Sequence, residues 1–259
     1  MFLFGHILTA KNSNLIGRLD VAKGEGVVAL MLPDILSSHD WAYNKSWNID
    51  PNKEGALLIQ AHIIGDAVIH FGKEWDKPLV KRGWAYKNMK YIAGDYYNFF
   101  NKAKRMDYIK PNKIINDSIR GWSHTMVEYT IDQYLTDNFI LEESFDNIKK
   151  VFSETTHNLS FLSDSVVDYG IETSKPFPDQ PLRYSNIIKN SNSPDEFHLR
   201  GLAAKYGLKE NDDVIDWLRS YLRSIISLVG INSIKDIINT LKEVTSDPYN
   251  YNYPVKDKI

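Results

Sequence analysis

Apolar residues recur at three- and four-residue spacing along most of the chain, and strand-like alternation is scarce, so the pattern predicts an all-α fold, a multi-helix bundle. Helices are expected over 1–10, 25–37, 53–73, 83–106, 112–136, 142–169, 195–206, 211–229 and 232–245. Asp50-Pro51-Asn52 reads as the entry to the third helix, with Asp50 as cap and Pro51 in the first turn; Pro111 is expected to open the fifth. Val214, Trp217, Leu218, Tyr221, Leu222, Ile225 and Leu228 form a stripe that reads as core rather than as a cofactor box. The segment 173–194 carries Pro176, Pro178, Pro181 and Pro194 and reads as a long loop. It would separate a helical core, 1–172, from C-terminal helices, 195–259, packed on that core in the same domain.

Two polar ladders interrupt the apolar pattern. His62, Asp66 and His70 lie four residues apart, and the residues between them include Ile63, Ile64, Ala67, Val68 and Ile69. At i, i+4 and i+8 the three point to nearly one face of a helix. Burying a polar group without a partner costs on the order of 2–7 kcal/mol, so this face needs a compensating partner, and a metal ion is an efficient one. His124, Glu128 and Asp132 repeat the spacing. Two such helices build a metal site inside a bundle without bending, which places the site between core helices. A hydrogen-bonded network with no metal is the alternative. His6 lies in an apolar setting, Asp34 follows Leu32-Pro33, and His39-Asp40 comes next. His157 and His198 have no ligand spacing and read as surface or structural residues.

Composition narrows the chemistry. The 259 residues include no cysteine, which removes disulfides, thiolate metal sites and a cysteine nucleophile. Ligands must then be nitrogen and oxygen, which suit a divalent ion: zinc, or iron or manganese. A net charge of −2 gives no global pull towards nucleic acid or membrane. Between Lys73 and Lys113 eleven Lys/Arg face four Asp/Glu, interleaved with Trp75, Trp84, Tyr86, Tyr91, Tyr96, Tyr97, Phe99 and Phe100. That stretch suits a helix with a solvated lysine face and an aromatic core face better than a base-stacking surface. No apolar run approaches the ~20 residues of a membrane span, and Met1-Phe2-Leu3-Phe4-Gly5-His6 lacks the basic flank of a signal peptide, so a cytoplasmic location is expected.

The order of these residues resembles the zinc-dependent phospholipase C and single-strand-specific nuclease superfamily. It is carried by His6, Asp34, His39, His62-Ile-Ile-Gly-Asp66, His70 and His124-Thr-Met-Val-Glu128, and by the opening Gly-His-Ile-Leu-Thr-Ala, over roughly the first 130 residues. The resemblance implies an all-helical, phospholipase C-like phosphodiesterase holding one to three zinc ions. It implies that His39, His62 and Asp66 hold one ion, that His70, His124 and Glu128 hold a second, that His6 helps Asp66 with a third, and that Asp34 is the base. A weaker likeness is to acyl-carrier-protein phosphodiesterases, and His39-Asp40 also admits an HD-type phosphohydrolase.

The expected function is therefore a metal-dependent hydrolase acting on a phosphoester: a small molecule, a lipid head group or a nucleotide. In the expected mechanism the ion lowers the pKa of the attacking water. A di-iron or di-manganese oxidase-type protein is one alternative, and a non-catalytic helical module with buried polar ladders is the other.

Overall fold

The computed structural model describes residues 3–13, 25–35, 50, 52–72, 83–113, 117–138 and 186–246, with isolated positions at 145, 146, 149 and 164. Among them every regular element is helical: α1 Leu3–Asn12, α2 Glu25–Ile35, α3 Glu54–Phe71, α4 Trp84–Asn88, α5 Tyr96–Arg105, α6 Ile119–Asp137, α7 Pro194–Lys205, α8 Asp212–Val229 and α9 Ile231–Thr245. The one extended pairing is a single bridge between Ile109 and Leu208.

Helix α3 is the centre. Every residue from Gly55 to Ile69 is buried, so the helix is covered all round, and its apolar faces leave no solvent side. Helices α1, α2, α4 and α9 pack against it. Helix α6 is packed by α1, α7 and α8, with Trp122, Met126, Val127, Ile131 and Leu135 buried along it. Helices α7 and α8 pack on α6, and α9 packs on α1 and α3.

Several boundaries differ from expectation, each for a local reason. The helix expected over 83–106 breaks into α4, two short 3₁₀ turns at Met89–Tyr91 and Ala93–Asp95, and α5. Gly94, costly in a helix interior, lies at the break, and Asp95 is drawn to the Tyr221 hydroxyl at 2.7 Å. Pro111 opens no helix: residues 111–112 turn, Asn112 takes φ 60°, and α6 starts at Ile119, where the Ser118 hydroxyl accepts the Gly121 N–H. Asp50 does not cap α3. Its carboxylate accepts the Asn52 N–H at 2.9 Å, and Lys53 stands at the cap position. Residues 186–190, expected as loop, make a helical turn that buries Ile187 and Ile188. Leu228, expected in the core stripe, is 58% exposed. The helix expected over 142–169 falls almost wholly outside the described residues, as do 173–185 and the tail beyond Ser246. No helix among the described residues is long and apolar enough to cross a membrane.

Candidate metal centre

Three helices bring the first ligand group together. His6 lies on α1, Asp34 on α2, and His62 and Asp66 one turn apart on α3. Helix α2 continues through Pro33 to Ile35, so Asp34 reaches the group from a helical position. The His6 and His62 rings stack with centroids 3.5 Å apart and planes 11° from parallel. The Asp66 carboxylate spans the pair, with Oδ1 3.5 Å from His6 Nε2 and Oδ2 3.3 Å from His62 Nε2. The Asp34 oxygens stand 4.0 Å and 3.9 Å from the same two nitrogens. One donor atom each from His6, Asp34 and His62 falls within a sphere a single cation would span, all within 4.8 Å of one another.

Electrostatics favour donors here. Burial, reinforced by the facing His62, drives His6 well below the usual histidine range, so its ring is neutral and keeps a lone pair. Both His6 ring nitrogens are buried and make no hydrogen bond among the described residues. Buried nitrogens without a hydrogen bond are costly in a packed helical core, and a cation held beside the carboxylates would satisfy the His6 nitrogen that keeps its lone pair.

The second group is more open. His70 lies in the last turn of α3, and His124 and Glu128 lie one turn apart on α6; their donor atoms also lie within 4.8 Å of one another. His70 Nε2–H donates to Glu128 Oε1 at 2.7 Å, and His124 Nδ1 lies 3.4 Å from Glu128 Oε2. The side chains of His70, His124 and Glu128 keep 15%, 20% and 12% of their surface exposed, so solvent reaches this group, whereas His6 and His62 are sealed. Burial pulls His124 down to about 4 against the opposing pull of Glu128, and its Nε2 makes no hydrogen bond among the described residues. Burial opposes charge on Glu128, but nearby positive charge and the hydrogen bond from His70 hold it well below the usual carboxylate range. Neutral imidazole beside ionised carboxylate is the protonation pattern a divalent cation needs.

No family model, curated protein or solved structure matches the chain.

The sequence ladders and the structural groups differ in membership. His62, Asp66 and His70 share α3, but His70 joins His124 and Glu128 while His62 and Asp66 join His6 and Asp34. Asp132 leaves its ladder altogether: its Oδ1 accepts the Gly5 N–H at 2.9 Å. His39 and His157 lie outside the described residues. His198 is fully buried, not on the surface. Its Nε2–H faces Gln133 Oε1 at 3.2 Å and its Nδ1 lies 3.4 Å from the Pro194 carbonyl, a structural role.

Two neighbours of the open group were not singled out as site residues from the pattern. The Tyr86 ring lies 5.0 Å from that of His124 and 5.9 Å from that of His70, and the Arg120 guanidinium carbon sits 5.5 Å from the Tyr86 centroid. The signal for Arg120 was there: it precedes His124 by the same four residues that separate His124 from Glu128. Tyr86 is held in place by a tight junction. Gly83, which begins α4, donates its N–H to the His70 carbonyl at 2.7 Å, and a Cβ there would collide with the backbone of Ile69 and His70.

Proposed function

We propose that the chain is a metal-dependent hydrolase of phosphoester substrates, with His6, Asp34, His62 and Asp66 around one ion and His70, His124 and Glu128 around another. The observation that carries this reading is that two nitrogen–oxygen donor groups meet at helix α3, one around the buried His6 and His62 and one around the partly exposed His70 and His124. The resemblance in ligand order to the zinc-dependent phospholipase C and nuclease superfamily supports it, as does the absence of thiol ligands.

A divalent ion would supply Lewis acidity and make hydroxide available near neutral pH. The chain's own residues do the rest. To hold an ion through Nε2, His70 would carry its proton on Nδ1 instead, the other neutral tautomer, in place of the Nε2–H that now bonds Glu128. Glu128 then faces the group with one oxygen towards each histidine. Asp34, whose side chain keeps 19% of its surface exposed, would hold or accept a proton from water in this reading. The low exposure of the neighbouring histidines excludes bulk solvent from the other side.

The non-catalytic reading has one observation in its favour: His70 and Glu128 already satisfy each other at 2.7 Å. Elemental analysis of protein made in metal-replete medium, with turnover assays on phosphodiesters, phospholipids and nucleotides under added zinc or manganese, separates the readings. Zinc or manganese with turnover supports the hydrolase, iron without it the oxidase-type protein, and less than about half an ion per chain the module.

A further inference from the structure

The geometry points to an oxyanion subsite: we propose that Arg120 and Tyr86 bind a phosphoryl oxygen of the substrate beside the His70–His124–Glu128 group. The inference rests on the hydrolase reading and names the part of the substrate that this group recognises.

Arg120, His124 and Glu128 recur every four residues on α6, so the guanidinium rises from the same helix face as the two donors, about one turn away. Arg120 is exposed, and no carboxylate pairs with it among the described residues. Its contact is the Tyr86 ring at 5.5 Å. A guanidinium resting on an aromatic face loses side-chain freedom but no donors, since its N–H groups lie in its own plane. It therefore stands ready to grip two oxygens of a phosphoryl group, the geometry for which arginine is suited.

Tyr86 is half-buried and reaches both histidine rings, so its position is set by the site on one side and by Arg120 on the other. A neutral phenol there donates a hydrogen bond to an anion and repels nothing. The Gly83–His70 junction ties the start of α4 to the end of α3, which fixes Tyr86 relative to the donors. Positive charge, a phenol and a partly exposed donor group thus stand side by side. The shared chemistry is a phosphoryl oxyanion, from a phospholipid head group or from a nucleotide.

The test uses the full chain, with zinc added, and Arg120→Gln, Arg120→Lys and Tyr86→Phe variants. Zinc content, calorimetric binding of inorganic phosphate, and steady-state kinetics on bis(p-nitrophenyl) phosphate are measured for each. The expected result is unchanged zinc in all three. Arg120→Gln should weaken phosphate and raise KM roughly tenfold or more, Arg120→Lys should recover part of both, and Tyr86→Phe should show a smaller loss. A short-chain phospholipid and a dinucleotide tell the sources apart, because Arg120→Gln should lose turnover on whichever carries the natural phosphoryl group. Unchanged phosphate affinity and KM in Arg120→Gln, with zinc retained, overturn the subsite and leave the hydrolase reading standing. A wild-type protein that takes up no metal defeats the hydrolase reading itself; phosphate binding that still depends on Arg120 would then support the subsite alone, and no phosphate binding would end both.

Discussion

Asp132 Oδ1 accepts the backbone N–H of Gly5 at 2.9 Å, joining the middle of α6 to the first turn of α1 across 127 residues of sequence. A helix cannot satisfy its first-turn N–H groups from within, and a carboxylate is also favoured at that end by the helix dipole. Gly5 precedes His6, whose ring stacks on that of His62, so this bond anchors the turn that carries His6.

Asp132→Ala should therefore cost about 1–3 kcal/mol of stability through the buried N–H it abandons. It should also weaken metal binding at the sealed group, while Asp132→Asn, which keeps an acceptor oxygen, should lose less of both. Urea melts and zinc titrations of the two variants measure this. Equal behaviour of Ala and Asn variants would deny Asp132 its anchoring role.

Chelation should lower the melting temperature, because an ion bound to the folded state alone adds stability. That amounts to about 2.7 kcal/mol when the ion is at a hundred times its Kd. His62→Ala and Asp66→Ala should each lose an ion and no longer respond to EDTA at the sealed group. A melting temperature that EDTA leaves unmoved in the wild type would argue for the polar network instead.

Asp34→Asn discriminates between base and ligand. As the base, Asp34 should be dispensable for metal content and fold but worth ~10²–10⁴-fold in turnover. Its oxygens lie 3.9–4.0 Å from both Nε2 atoms and one of them completes a candidate donor group with His6 and His62, so metal content is what decides between the two roles. Loss of the ion in Asp34→Asn would make it a ligand.

His198 should make stability depend on pH. Burial holds its folded value at about 4, below the ordinary 6.5. Between those values the unfolded chain binds a proton that the folded chain refuses. This contribution is fully present above pH 6.5 and is lost as pH falls towards 4. Denaturant melts of the metal-free protein from pH 7 to 4 should show a decline, and His198→Asn should reduce its slope by up to about 1.4 kcal/mol per pH unit. An unchanged slope would mean that His198 does not titrate on unfolding.

Helix type was legible because apolar spacing reports burial directly: α3, α8 and α9 begin and end within two residues of the ranges that spacing predicts. The donors His62, Asp66, His70, His124 and Glu128 were legible as polar breaks in that spacing. What spacing cannot carry is partnership between helices. That His70 turns to α6 while His62 and Asp66 turn to α1 and α2 depends on how the helices cross. Asp132 shared the ladder period but meets a backbone N–H that no pattern marks. Local signals also competed: Pro111 suggested a helix start, but the Ser118 cap decided it.

The closure of Gly83 onto the His70 carbonyl would leave a mark in evolution. A side chain at that position has nowhere to go, because what it would meet is main chain, which cannot rotate aside. Descendants of this fold can exchange the loop that leads into α4, and can vary the aromatic residues of α4 itself, but the glycine at its start should persist wherever the histidine in the last turn of α3 persists. Coinheritance of those two residues would trace this architecture through sequences in which the donor spacings alone are too short to recognise.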